Sequence, residues 1–155
     1  MPNKDILLVE NNPDDRELMR LAFSRVEILH NLIVVSSGAE ALSYLEQETD
    51  DEELLTGDLL DPSLPALVIL DLNLPKINGI EILRRIRASP KTRILPVIIL
   101  SSSDEPRDLI DSYINGCNSY IRKPIHFTQL QAFVREISTY WLTINQLPVF
   151  GVSNE

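Results

Sequence analysis

The sequence predicts an α/β domain: a doubly wound, five-stranded parallel sheet with helices on both faces. Three observations carry that expectation. Short apolar runs recur and stop at a polar residue: residues 6–9 before Glu10, 32–35 before Ser36, 66–70 before Asp71 and 96–100 before Ser101, with a short fifth strand, 119–122, before Lys123. The runs are nearly continuous rather than alternating, as strands covered on both faces must be. Between them lie stretches with apolar residues at helical spacing, and 155 residues suffice for one such core but are few for two.

In chain order, residues 5–9 form the first strand and deliver Glu10 at its carboxyl end. Asn12 then reads as an N-cap, Pro13 as the first helical position, and Asp14 and Asp15 as first-turn acids facing the positive end of the helix dipole. Leu18, Leu21, Ala22, Arg25 and Val26 keep the 3/4 spacing of an inward stripe, and Arg16, Glu17 and Arg20 fall outside. The second strand lies within residues 30–36, and Ser37-Gly38 lead into a helix carrying Ala41, Leu42 and Leu45. Periodicity dissolves over 48–65, where Asp50-Asp51-Glu52-Glu53 are followed by Gly57, Pro62 and Pro65. This connection is long for a compact domain and reads as a solvated insertion, with a binding element as the other reading.

The third strand is the centre of the pattern: ALVILDLN over 66–73 runs apolar up to Asp71. After a turn over 74–79, the helix at 80–88 turns Ile82, Leu83 and Ile86 inward and ends at Ser89-Pro90. The fourth strand ends in Ser101-Ser102-Ser103. Asp104, Glu105 and Pro106 open a helix with Leu109, Ile110, Tyr113 and Ile114 at helical spacing, closed by Asn115-Gly116. The fifth strand ends in Lys123-Pro124. The last helix, about 127–144, carries Phe127, Leu130, Val134, Ile137, Trp141 and Ile144.

A net charge of -9 speaks against a nucleic-acid partner, because binding a phosphate backbone depends on clustered Lys and Arg. The single Cys117 allows no internal disulfide and reads as a small buried thiol in a turn, consistent with a reducing compartment. No stretch is long enough for a signal sequence or membrane span, which places the expected location in the cytoplasm. No glycine-rich phosphate loop follows the first strand, so dinucleotide and P-loop chemistry are disfavoured.

An Asp at a strand end, taken alone, reads as a turn or cap residue. Glu10, Asp71, Ser101 and Lys123 together say more, because a parallel sheet places all four along one edge, the edge where such folds put ligands. Two carboxylates, a hydroxyl and an ammonium suit a phosphoryl group, the acids holding a divalent metal and the other two binding phosphate oxygens.

The runs ILLVEN, VILDLNLP, PVIILSSS and SYIRKP, in this order over residues 4–125, resemble the receiver domain of bacterial two-component response regulators. DLNLPK, the long connection before the third strand and the WL near the last helix end resemble the stand-alone regulators paired with cyanobacterial phytochromes. The resemblance implies a flavodoxin-like sheet of order 2-1-3-4-5, with residues 1–145 as receiver and 146–155 as a C-terminal tail. It implies a single-domain phosphoacceptor signalling protein that contributes to its own phosphorylation and dephosphorylation, with no output domain after the last helix. Asp71 would take a phosphoryl group from the phosphohistidine of a sensor histidine kinase, a phytochrome among the candidates. Mg2+ would be held by Glu10, Asn11, Asp71 and the Asn73 main-chain carbonyl. Lys123, beyond a cis Lys123–Pro124 bond, would pair with a phosphate oxygen; Ser101 would swing toward it and Tyr120 would follow inward.

One departure is Asn11, where the family has a second acid. Its amide oxygen can ligate a hard cation but adds no charge, or it merely helps Asn12 cap the helix. The alternative function is a receiver-like interaction module that is never phosphorylated. A DxD-type phosphatase is disfavoured because Asn73 offers no second carboxylate. Phe133, Tyr140, Leu147, Val149 and Phe150, with Tyr113 near Tyr120, suggest a homodimer through the fourth helix, fifth strand and fifth helix. The other reading is a tail folded back over a monomer.

Overall fold

Runs of β-compatible apolar residues become the strands β1 (Asp5–Val9), β2 (Asn31–Val35), β3 (Leu67–Leu70), β4 (Val97–Ser101) and β5 (Ser119–Arg122) of a computed structural model that describes residues 4–46 and 58–149. Every pairing is parallel and the order is β2-β1-β3-β4-β5. The helices are α1 (Pro13–Ser24), α2 (Gly38–Leu45), α3 (Gly79–Ala88), α4 (Pro106–Ile114) and α5 (Phe127–Thr139). Strand side chains alternate between two cores. Leu7, Val9, Val68, Leu70, Val97 and Ile99 face the layer containing α2 and α3, and Ile6, Leu8, Leu67, Ile69, Ile98 and Leu100 face the layer containing α1 and α5. The expected doubly wound architecture is therefore the observed one.

Several inward faces differ from the expected stripes. In α1 the buried residues are Met19, Ala22 and Phe23, while Leu18 and Leu21 are more than 40% exposed. The helix is thus rotated, because the Phe23 ring fills the core that a leucine was expected to fill. In α4 only Ser112 is buried, and Leu109, Ile110, Tyr113 and Ile114 stand between 43% and 71% exposed. The apolar spacing is real, but the stripe points to solvent. The last helix leaves α-geometry at Thr139 and finishes as a π-helical turn, Tyr140–Ile144, closed by the Asn145 amide on the Tyr140 carbonyl at 2.6 Å. Ile144, expected inward, is exposed.

The connection before β3 is only partly the solvated insertion expected. Its acidic run, 50–53, lies outside the described residues, but Leu60 and Leu64 are each 2% exposed and belong to the core. The tail meets this segment: the Leu60 amide donates to Pro148 O at 2.8 Å, and Leu60 pairs with Val149. Leu147 and Val149 are half-buried against the core. They fold back over their own domain instead of offering a free apolar surface, since burying them there removes them from water at no cost in association entropy. Phe150 lies outside the described residues.

Cys117 is buried, and burial pushes its thiol above its ordinary range. The described residues contain no cis peptide bond, so the Lys123–Pro124 linkage is trans, contrary to expectation. The lysine stem spans the distance regardless, since the ammonium is drawn by the carboxylates described next.

Candidate functional site

Backbone bonds fix the four strand-end residues before their side chains act. Past each strand the ladder continues by one step: Glu10 N donates to Val35 O at 3.1 Å, Asp71 N to Val9 O at 3.1 Å, and Lys123 N to Ser101 O at 2.8 Å. Glu10, Asp71, Ser101 and Lys123 are therefore held side by side on rigid backbone at the carboxyl edge of the sheet. Gly79 braces Asp71 from below. A Cβ there would lie 2.4 Å from Asp71 O and 2.6 Å from Leu72 Cα, so only glycine lets the start of α3 approach this closely.

The centre is one ammonium shared by carboxylates. Lys123 Nζ lies 3.0 Å from Glu10 Oε2, 3.1 Å from Asp71 Oδ2 and 3.1 Å from Asp15 Oδ2. Glu10 and Asp71 are 2% and 5% exposed. The second oxygen of Asp71 accepts from the Asn73 amide at 3.0 Å, which orients the carboxylate. The second oxygen of Glu10 accepts from the Asn12 amide at 3.2 Å. Ser101 is fully buried, and its hydroxyl accepts from the Ser103 amide at 3.1 Å, so its resting partner is the β4–α4 connection. The Tyr120 hydroxyl is buried without a hydrogen-bond partner, its ring half-buried against the α2 and α3 layer.

The charges are unbalanced. Burial first, and then the neighbouring Asp71 carboxylate, push Glu10 from its ordinary 4.5 to about 7. Burial works against the Lys123 charge, but Asp71, Glu10 and Asp15 outweigh it and hold the lysine above its ordinary value. For Glu10 the raised pKa means that a proton stabilises the fold. That contribution is present below 4.5 and is lost as pH rises through about 7.

A hard divalent cation would relieve this excess. Among the described residues no cluster of three or more acid, His or Cys side chains forms a cage for a metal. Mg2+ does not need one, because it is bound through one or two carboxylates and keeps several waters. The buried pair Glu10 and Asp71, like charges held side by side that a cation would neutralise, fits that chemistry. Asn11 is exposed, and its carbonyl accepts from Arg16 at 2.7 Å. Asn73 reaches Asp71 through its amide.

All four predicted strand-end residues thus meet at one edge. Asp15 and Arg16 were expected only as a dipole-complementing acid and an outward-facing charge. Instead both turn back: Asp15 to Lys123, and Arg16 to the carbonyls of Glu10 (3.0 Å) and Asn11 (2.7 Å). A usable signal was present, since a helix that starts four residues after a strand end places its first turn over that edge.

Comparisons with known proteins agree with this geometry. The profile of the response regulator receiver domain matches residues 6–135. A probable methanogenesis regulatory protein, FilR2 of Methanothrix harundinacea, is 38% identical over 143 residues, 92% of this chain and 86% of its own length. Among solved structures, the phosphorylated cyanobacterial phytochrome response regulator RcpA is 36% identical with a TM-score of 0.80, covering 94% of this chain and 99% of RcpA. The Mn2+-bound response regulator Rcp1, of Synechocystis, is 34% identical with a TM-score of 0.78, covering 94% of this chain and 99% of that one.

Proposed function

Because the chain belongs to the response regulator receiver family, we propose that it is a single-domain response regulator whose phosphoacceptor is Asp71, with a sensor histidine kinase as phosphodonor. The observation that carries this is the buried Asp71 carboxylate, oriented by the Asn73 amide and facing an ammonium shared with Glu10. In the reaction an Asp71 oxygen attacks the phosphorus of a phosphohistidine. The O–P bond forms as the P–N bond breaks, and the bonding pair returns to the imidazole nitrogen, which takes up a proton. Lys123 offers its positive charge to the phosphoryl oxygens, and Ser101 is the hydroxyl donor that turns toward them, with Tyr120 following. Mg2+, held by Glu10 and Asp71 with the Asn11 and Asn73 positions alongside, supplies charge neutralisation when bound. Hydrolysis of the aspartyl phosphate returns the protein to rest, so the chain contributes to its own dephosphorylation.

The likeness to RcpA supports a phytochrome as the kinase. Leu18 and Ile125, exposed beside the carboxylate edge, offer that partner an apolar surface. We place the receiver at residues 1–145, with 146–155 as its tail. Among the described residues no helix is long and apolar enough to cross a membrane.

The test is uptake of one phosphoryl group from a small acyl phosphate, read by intact mass spectrometry. Uptake is expected with Mg2+ and lost with a chelator. Below pH 7 the proton on Glu10 competes with the cation, so the Mg2+ needed for half-maximal uptake rises as pH falls and levels off above pH 8. Absence of uptake at any Mg2+ concentration would leave the unphosphorylated interaction module as the reading.

The exposed α4 stripe supports a two-fold homodimer through α4, β5 and α5, biased by Asp71 through Ser101 and Tyr120. Leu147 and Val149, tucked back, are no longer part of that argument; Phe133 and Tyr140 remain at the margin. Light scattering should give a dimer mass for the full chain and a monomer for Ile114→Glu. A monomeric full chain at tens of micromolar sinks the dimer.

A further inference from the structure

Asp15 stands apart from the other two carboxylates on Lys123. Its amide is held 3.1 Å from the Asn12 side-chain oxygen, and the Asn12 amide is held in turn by Glu10. This chain of bonds fixes the first turn of α1 over the strand ends, and Arg16 locks it further by donating to the Glu10 and Asn11 carbonyls. Asp15 therefore reaches Lys123 from a rigid base.

An ammonium has three hydrogens to donate. Lys123 commits them to Glu10, Asp71 and Asp15. None remains for a phosphoryl oxygen in the unmodified protein. The Asp71 contact gives way as its own oxygen bonds the incoming group, and the ammonium turns fully to the phosphoryl oxygens only if another acceptor also yields. The Glu10 side chain is 3% exposed, so water cannot replace the ammonium beside it. The Asp15 side chain is 38% exposed, so water can take the ammonium's place there. Of the two carboxylates that stay unmodified, Asp15 is the one whose contact breaks at lower cost.

Resting on Asp71 as the phosphoacceptor, we propose that Asp15 is a positioning residue that holds the Lys123 ammonium in the unmodified protein and competes with the phosphoryl group for it. It also brings to the site a carboxylate that Asn11 does not provide.

The test uses beryllofluoride, a phosphoryl mimic bound by a carboxylate oxygen, titrated calorimetrically into the full chain at saturating Mg2+. Asp15→Asn keeps the shape and removes the charge. It should bind beryllofluoride about two- to fivefold more tightly than the unsubstituted protein, the worth of one partly exposed ion pair. Asp15→Glu, which keeps the charge, should stay near the unsubstituted affinity. The difference should shrink as salt is added. A merely structural role would move the melting temperature of Asp15→Asn without tightening the mimic. Equal or weaker binding by a folded Asp15→Asn overturns the proposal while the phosphoacceptor reading stands. Failure of the unsubstituted protein to bind the mimic and to take up phosphoryl groups removes both.

Discussion

Asp71→Asn should take up no phosphoryl group under conditions that fully load the unsubstituted protein, the largest effect expected of any single change. The amide is nearly the same shape and can still accept from the Asn73 amide and from Lys123. What it lacks is the anionic oxygen that attacks phosphorus. The substitution should not unfold the protein. It removes one of two buried like charges, and Lys123 keeps Glu10 and Asp15 as partners. Glu10 should also move down from about 7 once the neighbouring charge is gone, although burial still holds it above its ordinary range. Intact mass and thermal melts on the same sample separate lost chemistry from lost fold. Undiminished uptake by a folded Asp71→Asn would contradict the assignment.

Gly79→Ala should damage both stability and chemistry, although residue 79 touches no substrate. The added methyl would meet backbone atoms, Asp71 O at 2.4 Å and Leu72 Cα at 2.6 Å, which cannot turn aside as a side chain can. Overpacking of this kind costs about 3 kcal/mol or more. For a domain of this size that lowers the melting temperature by roughly 10 °C. Relief can come only by moving α3 away from the end of β3, and Asp71 then loses its alignment with Lys123. Slower phosphoryl uptake should therefore accompany the lower melting temperature. An unchanged melt would show that α3 does not press on this strand end.

The sheet was legible in the sequence because a strand buried on both faces tolerates no polar residue until it leaves the core. The run ending at Asp71 and the run ending at Ser101 could hardly be read otherwise. The α1 start was legible for a similar reason: Asn12 accepts from the Asp14 and Asp15 amides as its N-cap position implies. Periodicity does not, however, say which apolar face finds a neighbour. The α4 stripe has helical spacing, yet it faces solvent because the edge strand β5 leaves that helix little sheet to cover. The tail misled in the opposite direction. Val149 looked unpartnered because Leu60 lies almost ninety positions away in the chain, and their pairing is a purely tertiary fact. Asp15 was hidden by a sufficient local explanation, since an acid in a first helical turn already has a role in the dipole. Its contact with Lys123 spans 108 positions.

Three carboxylates meet one ammonium at this site, and the central claim is that Asp71 alone among them carries the phosphoryl group. Reducing the phosphorylated protein with borohydride converts an acyl phosphate to the corresponding alcohol, which peptide mass spectrometry then locates. The account predicts homoserine at position 71, with Glu10 and Asp15 unmodified. Reduction products at Glu10 or Asp15, or a phosphoryl group that resists borohydride because it sits on a hydroxyl or an imidazole, would contradict it.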